Sequence, residues 1–407
     1  MKIWHPYTQE ALDGPPIKID RGEGAWLYTT DWRRLLDGIS SWWVNLHGHA
    51  HPLIVEAIAN QARTLEQVIF AGFTHGPAEE LAERLGTLLP GPLSRLFFSD
   101  NGSTAVEVAL KIAVQFWHNT GRPEKRGIVA LEHAYHGDTI GAISASADSP
   151  FTAPFGALRF PVLRIGSIEN LEQLLADKDA EIAALIVEPL IQAAGGMIVQ
   201  SVEFLKRLRE LSARHDVLLI ADEVFTGFGR TGKMFACDLA GVVPDLMCLS
   251  KGLTGGFLPL AVTICREEIY QAFFSEDRSR TLFHGHSYSG NPLGCAAAIA
   301  SLKIFETEPV FDRIATIETI HRERLTSLRK HSSVADVRML GTVAALELRA
   351  DDAGYLSNLR SRLYDFFIKN GVLLRPLGNV VYVVPPYVTT PDELHWLYDV
   401  IGRALLL

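Results

Sequence analysis

The sequence predicts an α/β protein with a mostly parallel sheet, followed by a smaller α+β unit. Three observations lead there. Short, almost purely apolar runs recur at Gly127-Ile128-Val129-Ala130-Leu131, Ala183-Ala184-Leu185-Ile186-Val187, Val217-Leu218-Leu219-Ile220-Ala221 and Leu246-Met247-Cys248-Leu249. Helical periodicity lies between them, as expected of parallel strands covered on both faces. Past about residue 305 the order changes to long helices mixed with further strands, an α+β pattern.

In chain order, Arg95-Leu96-Phe97-Phe98 reads as a strand leading into a helix from Ser103 to about His118. Strands follow at 127–131 and 183–187. Apolar spacing over 202–214 gives a helix, and the runs at 217–221 and 246–249 complete the series. Beyond the transition a helix is expected over 310–330 and strands at 334–338 and 342–347. A further helix is expected near Tyr355 to Asn370, with strands around 372–374 and 380–383. No repeat, low-complexity stretch or linker interrupts the chain.

The composition narrows the class without naming a chemistry. In 407 residues, 48% hydrophobic and 21% charged, there is ample material for a large core. Lys and Arg total 38 against 47 Asp and Glu, a net charge of -9, which argues against nucleic acid or an anionic membrane as partner. No segment approaches the roughly 18 apolar residues of a spanning helix. The opening Met1-Lys2-Ile3-Trp4-His5-Pro6-Tyr7 has no apolar secretory core. Cysteines at 237, 248, 265 and 295 have neither CxxC metal spacing nor that of a small disulfide framework. Buried free thiols, no metal site and a cytoplasmic location are expected.

Four segments carry chemistry-bearing residues. The apolar strand at 217–221 delivers Asp222 and Glu223 at its carboxyl end, where parallel sheets meet their ligands. A buried carboxylate there needs a cation or hydrogen bonds, although a strand-end Asp also commonly caps a turn. The next strand ends at Ser250-Lys251-Gly252, close to Thr254-Gly255-Gly256. A desolvated lysine can act as a Schiff-base nucleophile, whereas a lysine in a Gly-rich turn, taken alone, is more often a surface residue. Ser99-Asp100-Asn101-Gly102-Ser103-Thr104 opens a helix and suits a phosphate, or else places a plain Ser N-cap. Ala134-Tyr135-His136-Gly137-Asp138 offers an aromatic face, and a loop Tyr or His is often structural. Together, a phosphate cradle, an aromatic, a strand-end Asp and a Lys 29 positions later match what pyridoxal 5′-phosphate requires.

These residues stand in the order seen in the fold-type I, class III aminotransferases, which the chain resembles. The resemblance is carried by Leu219-Ile220-Ala221-Asp222-Glu223-Val224, Thr226-Gly227-Phe228-Gly229-Arg230-Thr231-Gly232 and Leu249-Ser250-Lys251-Gly252. Within the class the chain is most similar to the biotin-pathway branch, which passes the amino group of S-adenosylmethionine to 8-amino-7-oxononanoate. Ile3-Trp4-His5-Pro6-Tyr7-Thr8, Ser40-Ser41-Trp42-Trp43 with His47-Gly48, Tyr135-His136-Gly137-Asp138, and Arg375-Pro376 through Tyr382 to Pro385-Pro386-Tyr387 carry that similarity.

The resemblance implies a PLP-dependent transferase of fold type I. A large cofactor-binding domain would span 41–305, and a small domain would combine 1–40 with 306–407. It implies Lys251 as the Schiff-base lysine and Asp222 as partner of the pyridine nitrogen. Tyr135 would lie against the ring, with Gly102 and Ser103 on the phosphate, joined by Ser287 from the other subunit of a homodimer. Tyr7, Trp42, Tyr135, Asp138, Gly285, Arg375 and Tyr382 are the implied substrate contacts, Arg375 holding a carboxylate. Arg230 and the Glu188-Pro189 and Gly195-Gly196 pairs are expected to support the site structurally. Trp43 is read as a core aromatic before a substrate contact. One departure stands out: His284-Gly285-His286-Ser287 replaces the common His-Gly-Pro-Thr, and Ser287 keeps the hydroxyl. Lysine as donor, another ω-amino acid transamination and a PLP-binding protein without turnover are the alternatives. Tandem tryptophans favour adenosylmethionine, because aromatic faces suit a purine or a sulfonium cation.

Overall fold

The computed structural model describes residues 1–350 and 356–407. The chain begins with an antiparallel meander, β1 (Ile19–Glu23), β2 (Trp26–Thr29) and β3 (Arg34–Asp37). Its outer strand is largely exposed, so the apolar pattern that marks a buried strand is missing there. The central strands are β4 (Leu93–Ser99), β5 (Gly127–Leu131), β6 (Leu163–Ile165) and β7 (Ile182–Val187). A short hairpin of β8 (Ile191–Gln192) and β9 (Ile198–Val199) follows. Then come β10 (Leu218–Asp222), β11 (Leu246–Leu249) and β12 (Ala261–Arg266).

Seven of these form one sheet in the order β4-β12-β11-β10-β7-β5-β6. β12, unforeseen in the sequence, runs antiparallel to both β11 and β4, and β5, β6, β7, β10 and β11 are mutually parallel. Every residue of β7, β10 and β11 is buried, which accounts for their unbroken apolar character. The helix Gly102–Asn119 lies against this sheet, and Trp117 Nε1 donates to Ala183 O at 2.9 Å. Its N-cap is Asn101: Asn101 Oδ1 accepts from Thr104 N at 3.0 Å, and Thr104 Oγ1 accepts from Asn101 N at 3.2 Å. The alternative of a Ser N-cap is therefore set aside, since Asn closes both halves of the capping box.

The C-terminal part holds an antiparallel sheet of β13 (Val334–Leu340), β14 (Val343–Leu348) and a last strand, reached after the short β15 (Val372–Leu373). That last strand, β16 (Val380–Val383), pairs with β14. Helices Val310–Leu328, Asn358–Lys369 and Pro391–Ala404 accompany it. The expected start of the middle helix at Tyr355 lies outside the described residues. β15 joins β3 in parallel, Leu373 opposite Asp37, so the two ends of the chain share a sheet. Among the described residues no helix is long and apolar enough to cross a membrane, and no cluster of His, Cys, Asp and Glu is placed to hold a metal. All four cysteines are free and buried.

Candidate active site

The carboxyl ends of β5, β10 and β11 lead into the segments that meet at one place. Two cavities adjoin there, of about 450 and 500 Å³. The smaller is lined by Gly102, Ser103, His136, Gly137, Glu188 and Asp222, and the larger by Tyr7, Trp42, Phe151, Arg375 and Tyr382. Trp43, Tyr135, Asp138 and Lys251 border both.

Lys251 lies at that boundary. Its φ of 44° is in the left-handed region, a conformation that persists only when the surroundings fix it. Its Nζ lies 4.7 Å from the centre of the Trp43 ring and 5.6 Å from that of Phe225. Burial lowers its ammonium from 10.5 to about 8; the carboxylates of Asp222 and Glu188 oppose that shift and Arg230 adds to it.

Asp222 ends β10 beneath the smaller cavity. Its Oδ2 is 2.7 Å from His136 Nδ1, and its Oδ1 accepts from Val224 N at 3.2 Å. His136, which the sequence offers only as a loop residue of a kind often structural, is thus part of the site. The signal was its place beside Tyr135 in a loop after a buried strand, which says nothing of Asp222, 86 positions away. Glu188, expected to be structural, also lines the smaller cavity, and its carboxylate accepts from Tyr135 N and Ala193 N, both at 3.0 Å. Burial raises it to about 7, Asp222 adding to the shift while His136 and the two N–H groups oppose it.

The helix start at Gly102 is one wall of the same cavity. A Cβ on Gly102 would lie 2.5 Å from Val224 Cγ1, and one on Gly137, where φ is 123°, would lie 2.4 Å from Ser103 Oγ. Ser103 Oγ is 2.8 Å from Thr139 Oγ1 and accepts from Thr139 N at 2.9 Å. Glu107 Oε1 accepts from Thr139 Oγ1 and from Gly141 N, fixing the loop from the helix side. Because Asn101 occupies only Thr104 N, the N–H groups of Gly102 and Ser103 remain at the positive end of the helix dipole. Two buried polar atoms, Trp43 Nε1 and His136 Nε2, have no protein partner. Glycine-made space at a helix N-terminus, a carboxylate–imidazole pair and a depressed lysine suit a phosphorylated aromatic aldehyde.

The larger cavity is aromatic, with Arg375 in its wall as well as Lys251. Tyr7 Oη donates to Asp138 Oδ2 at 2.5 Å and lies 3.4 Å from Tyr135 Oη. Tyr7 meets Trp42 edge-on at 5.3 Å and Phe151 at 5.8 Å. Burial, followed by the Tyr7 hydrogen bond, pushes the Tyr135 phenol well above its ordinary value. Arg375 places its guanidinium 5.2 Å from the Trp42 ring centre and donates through Nη2 to Tyr7 O at 3.1 Å; its buried Nε has no partner. Tyr382 is buried in β16 and stands 5.9 Å from Trp43, which packs at 4.8 Å on Phe225. Trp43 is thus both core and cavity wall. Arg230 is fully buried and donates to Pro385 O at 2.8 Å and Asn45 O at 3.1 Å, tying the segments after Tyr382 and Trp43 together.

The tryptophans sit on an unusual turn. Ser40, Ser41, Trp42 and Trp43 have φ values of 50°, 47°, 75° and 74°. Four successive left-handed L-residues cost about 1–2 kcal/mol each, or roughly 4–8 kcal/mol for the run. Gly285 and Ser287 are the expected site residues that a single chain does not bring in. They line neither cavity, and Ser287 O instead accepts from Gln67 Nε2 at 2.8 Å.

A seven-stranded, mostly parallel sheet with a lysine and a carboxylate at adjacent strand ends defines a transaminase-type site, and the chain belongs to the class-III aminotransferase family, whose profile matches residues 7–405. It is similar to the adenosylmethionine-8-amino-7-oxononanoate aminotransferase of Synechococcus elongatus, at 50% identity over 99% of this chain and 98% of that one. The enzyme of the same name from Geobacter sulfurreducens is 42% identical over 99% and 95%. Among solved structures, that of the Methanocaldococcus jannaschii adenosylmethionine-8-amino-7-oxononanoate aminotransferase superposes with a TM-score of 0.96 at 36% identity, covering 99% of this chain and 96% of that one. An amine transaminase from an uncultivated Pseudomonas species, in its PLP-bound form, gives 0.94 at 34% identity, covering 100% and 98%.

Proposed function

We propose that this chain is the pyridoxal 5′-phosphate-dependent enzyme that transfers the amino group of S-adenosylmethionine to 8-amino-7-oxononanoate, giving 7,8-diaminononanoate for biotin synthesis. The observation that carries it is Lys251 at the boundary between a glycine-walled phosphate cradle and a cavity walled by Tyr7, Trp42 and Arg375. Full-length similarity to the Synechococcus and Geobacter enzymes supports the choice of substrates.

Gly102 and Ser103 would hold the phosphate, Tyr135 the ring face, Asp222 the ring nitrogen, and Lys251 the aldehyde carbon. Bound there, the cofactor supplies an electron sink and a carrier for one amino group. The chain's own residues do the rest. Asp222, oriented by His136, would hold a proton on the ring nitrogen. Lys251, with its basicity brought near neutrality, would serve as the base that takes the donor's α-proton at Nζ and holds it within the site. Arg375 offers a guanidinium to a substrate carboxylate, and the aromatic wall suits the sulfonium and purine of the donor. Donor and acceptor use the same cavity in turn, a ping-pong scheme.

The same reading makes 41–305 a large domain and joins 1–40 with 306–407 in a small one, supported by the pairing of β3 with β15. It places Gly285 and Ser287 at the partner's site in a homodimer. Exposed apolar residues Phe274, Phe283 and Tyr288, before and beside Ser287, and Ile69 and Phe73, just after the Gln67 that meets Ser287 O, support such an interface. Four buried free thiols support a cytoplasmic location.

The test is a half-reaction followed by absorbance. Adenosylmethionine should convert the lysine-bound cofactor to its amine form, and 8-amino-7-oxononanoate should reverse the change. Conversion by lysine alone would overturn the donor. Conversion only by ornithine or β-alanine would overturn the whole substrate assignment.

A further inference from the structure

We propose that Asp37 is a positioning residue for the substrate cavity: its carboxylate, backed by His49, holds the left-handed Ser40–Trp43 turn and sets Trp42 against Arg375. The inference rests on the site proposed above and adds a residue that touches neither cavity.

Asp37 ends β3 and is completely buried. Its Oδ1 accepts from Ser41 N at 2.9 Å and Ile39 N at 3.2 Å, and its Oδ2 accepts from Ser41 Oγ at 2.7 Å. His49 Nε2 meets Oδ2 from the other side at 3.0 Å. The imidazole fits because Gly22 has no side chain; a Cβ there would lie 2.7 Å from His49 Cβ. One carboxylate thus gathers two N–H groups and a hydroxyl on the residues leading into Trp42, together with a ring nitrogen of His49 beyond it. The far side of the turn is held by Ser40 Oγ, which donates to Val384 O at 2.8 Å, just after β16.

The same residue governs the other half of the pair. Asp37 is in register with Leu373 of β15, and Gly38 N donates to Leu373 O at 3.1 Å. Two residues on, Arg375 reaches back over the Trp42 ring. Trp42 and Arg375 are therefore hung from one junction, one through the turn and the other through the strand. Trp42 itself remains 38% exposed, so its position is not fixed by core packing. Without the carboxylate, four left-handed residues have lost their anchor and the turn has a lower-energy alternative.

The experiment uses holoenzyme carrying Asp37→Ala, Asp37→Asn or Ser41→Ala, with KM and kcat, the absorbance of lysine-bound cofactor, and near-ultraviolet circular dichroism. Asp37→Ala should raise the donor KM about tenfold with kcat within about threefold, as expected when ground-state and transition-state binding are lost together. Cofactor absorbance should be kept and the tryptophan dichroism should change. Asp37→Asn retains the Oδ1 acceptor and should fall between wild type and Ala, and Ser41→Ala should show a smaller shift of the same kind. Adding Ser41→Gly to Asp37→Ala should recover part of the KM, because glycine accepts the positive φ without an anchor. Unchanged KM and dichroism in Asp37→Ala, or a loss of thermal stability alone, would overturn the proposal. If Asp37→Ala does not fold, unchanged KM in Asp37→Asn and Ser41→Ala does the same. A wild-type enzyme that ignores adenosylmethionine fails the substrate reading instead, and the KM series is then run with the donor that does convert the cofactor.

Discussion

Lys251 should be deprotonated at a pH where other lysines are not, and the effect can be read in protein stripped of cofactor. With the ammonium lowered to about 8, half of Lys251 is free amine at pH 8, against roughly 0.3% for a lysine at its ordinary value, an advantage of roughly 150-fold before the weaker nucleophilicity of a less basic amine is counted. Burial disfavours the charged form, so the folded state binds this proton less tightly than the unfolded chain. Stability from this group is accordingly absent below about pH 8 and grows as pH rises toward 10.5, the reverse of a lysine that gains a partner. The perturbations are Asp222→Asn and Glu188→Gln. Each removes a carboxylate that favours the ammonium, so each should move the midpoint further down. Because Glu188 is itself raised to about 7, its substitution should matter only where its carboxyl is ionised, above that pH. The assay is the pH dependence of modification of Lys251 by a small arylating reagent, read by peptide mass spectrometry with surface lysines as internal standard. A Lys251 midpoint near 10, or a midpoint that rises in either variant, would refute the reasoning.

Two further perturbations follow from the geometry. Gly137→Ala puts a Cβ 2.4 Å from Ser103 Oγ at a φ of 123°, so it should weaken cofactor binding by at least tenfold while the far-ultraviolet dichroism stays unchanged; equilibrium titration with the cofactor checks this. Glu223→Ala removes the carboxylate that accepts from Thr226 Oγ, Ala236 N and Cys237 N, leaving three buried donors, and should cost about 3–5 kcal/mol in chemical denaturation, far more than an exposed Glu→Ala.

The parts of this protein that could be read from its sequence are those where burial acts on both faces of a strand. β7, β10 and β11 are apolar throughout because nothing polar is tolerated there, and the strand ends carrying Asp222 and Lys251 could be read with them. β12 escaped because it follows a Gly- and Pro-rich stretch and carries Thr263, whose hydroxyl is satisfied by Ala105 O at 2.7 Å, a partner invisible in one dimension. β1 escaped because exposure on both faces leaves it polar. His136 and Glu188 belong to the site through contacts made across the sheet, and a residue type in a loop says little about such contacts. Gly285 and Ser287 mark a different limit, since in the homodimer proposed above a second chain would complete what their motif implies.

The pairing of the chain's two ends has a consequence for how the protein is made. Trp26 Nε1 donates to Glu393, and the Tyr7 carbonyl accepts from Arg375, so the wall of the larger cavity and the strands beside it join residues 367 and 368 positions apart in the chain. The strands around Asp222 and Lys251 are complete by residue 266. Arg375 lies 109 positions further on, so at 5–20 residues per second about 5–22 s separate the two in synthesis. During that interval β3 lies on the nascent chain without its β15 neighbour, and the cradle can form before the donor has anywhere to bind. Assembly in that order completes the cradle well before the larger cavity, whose wall waits for Arg375 and Tyr382.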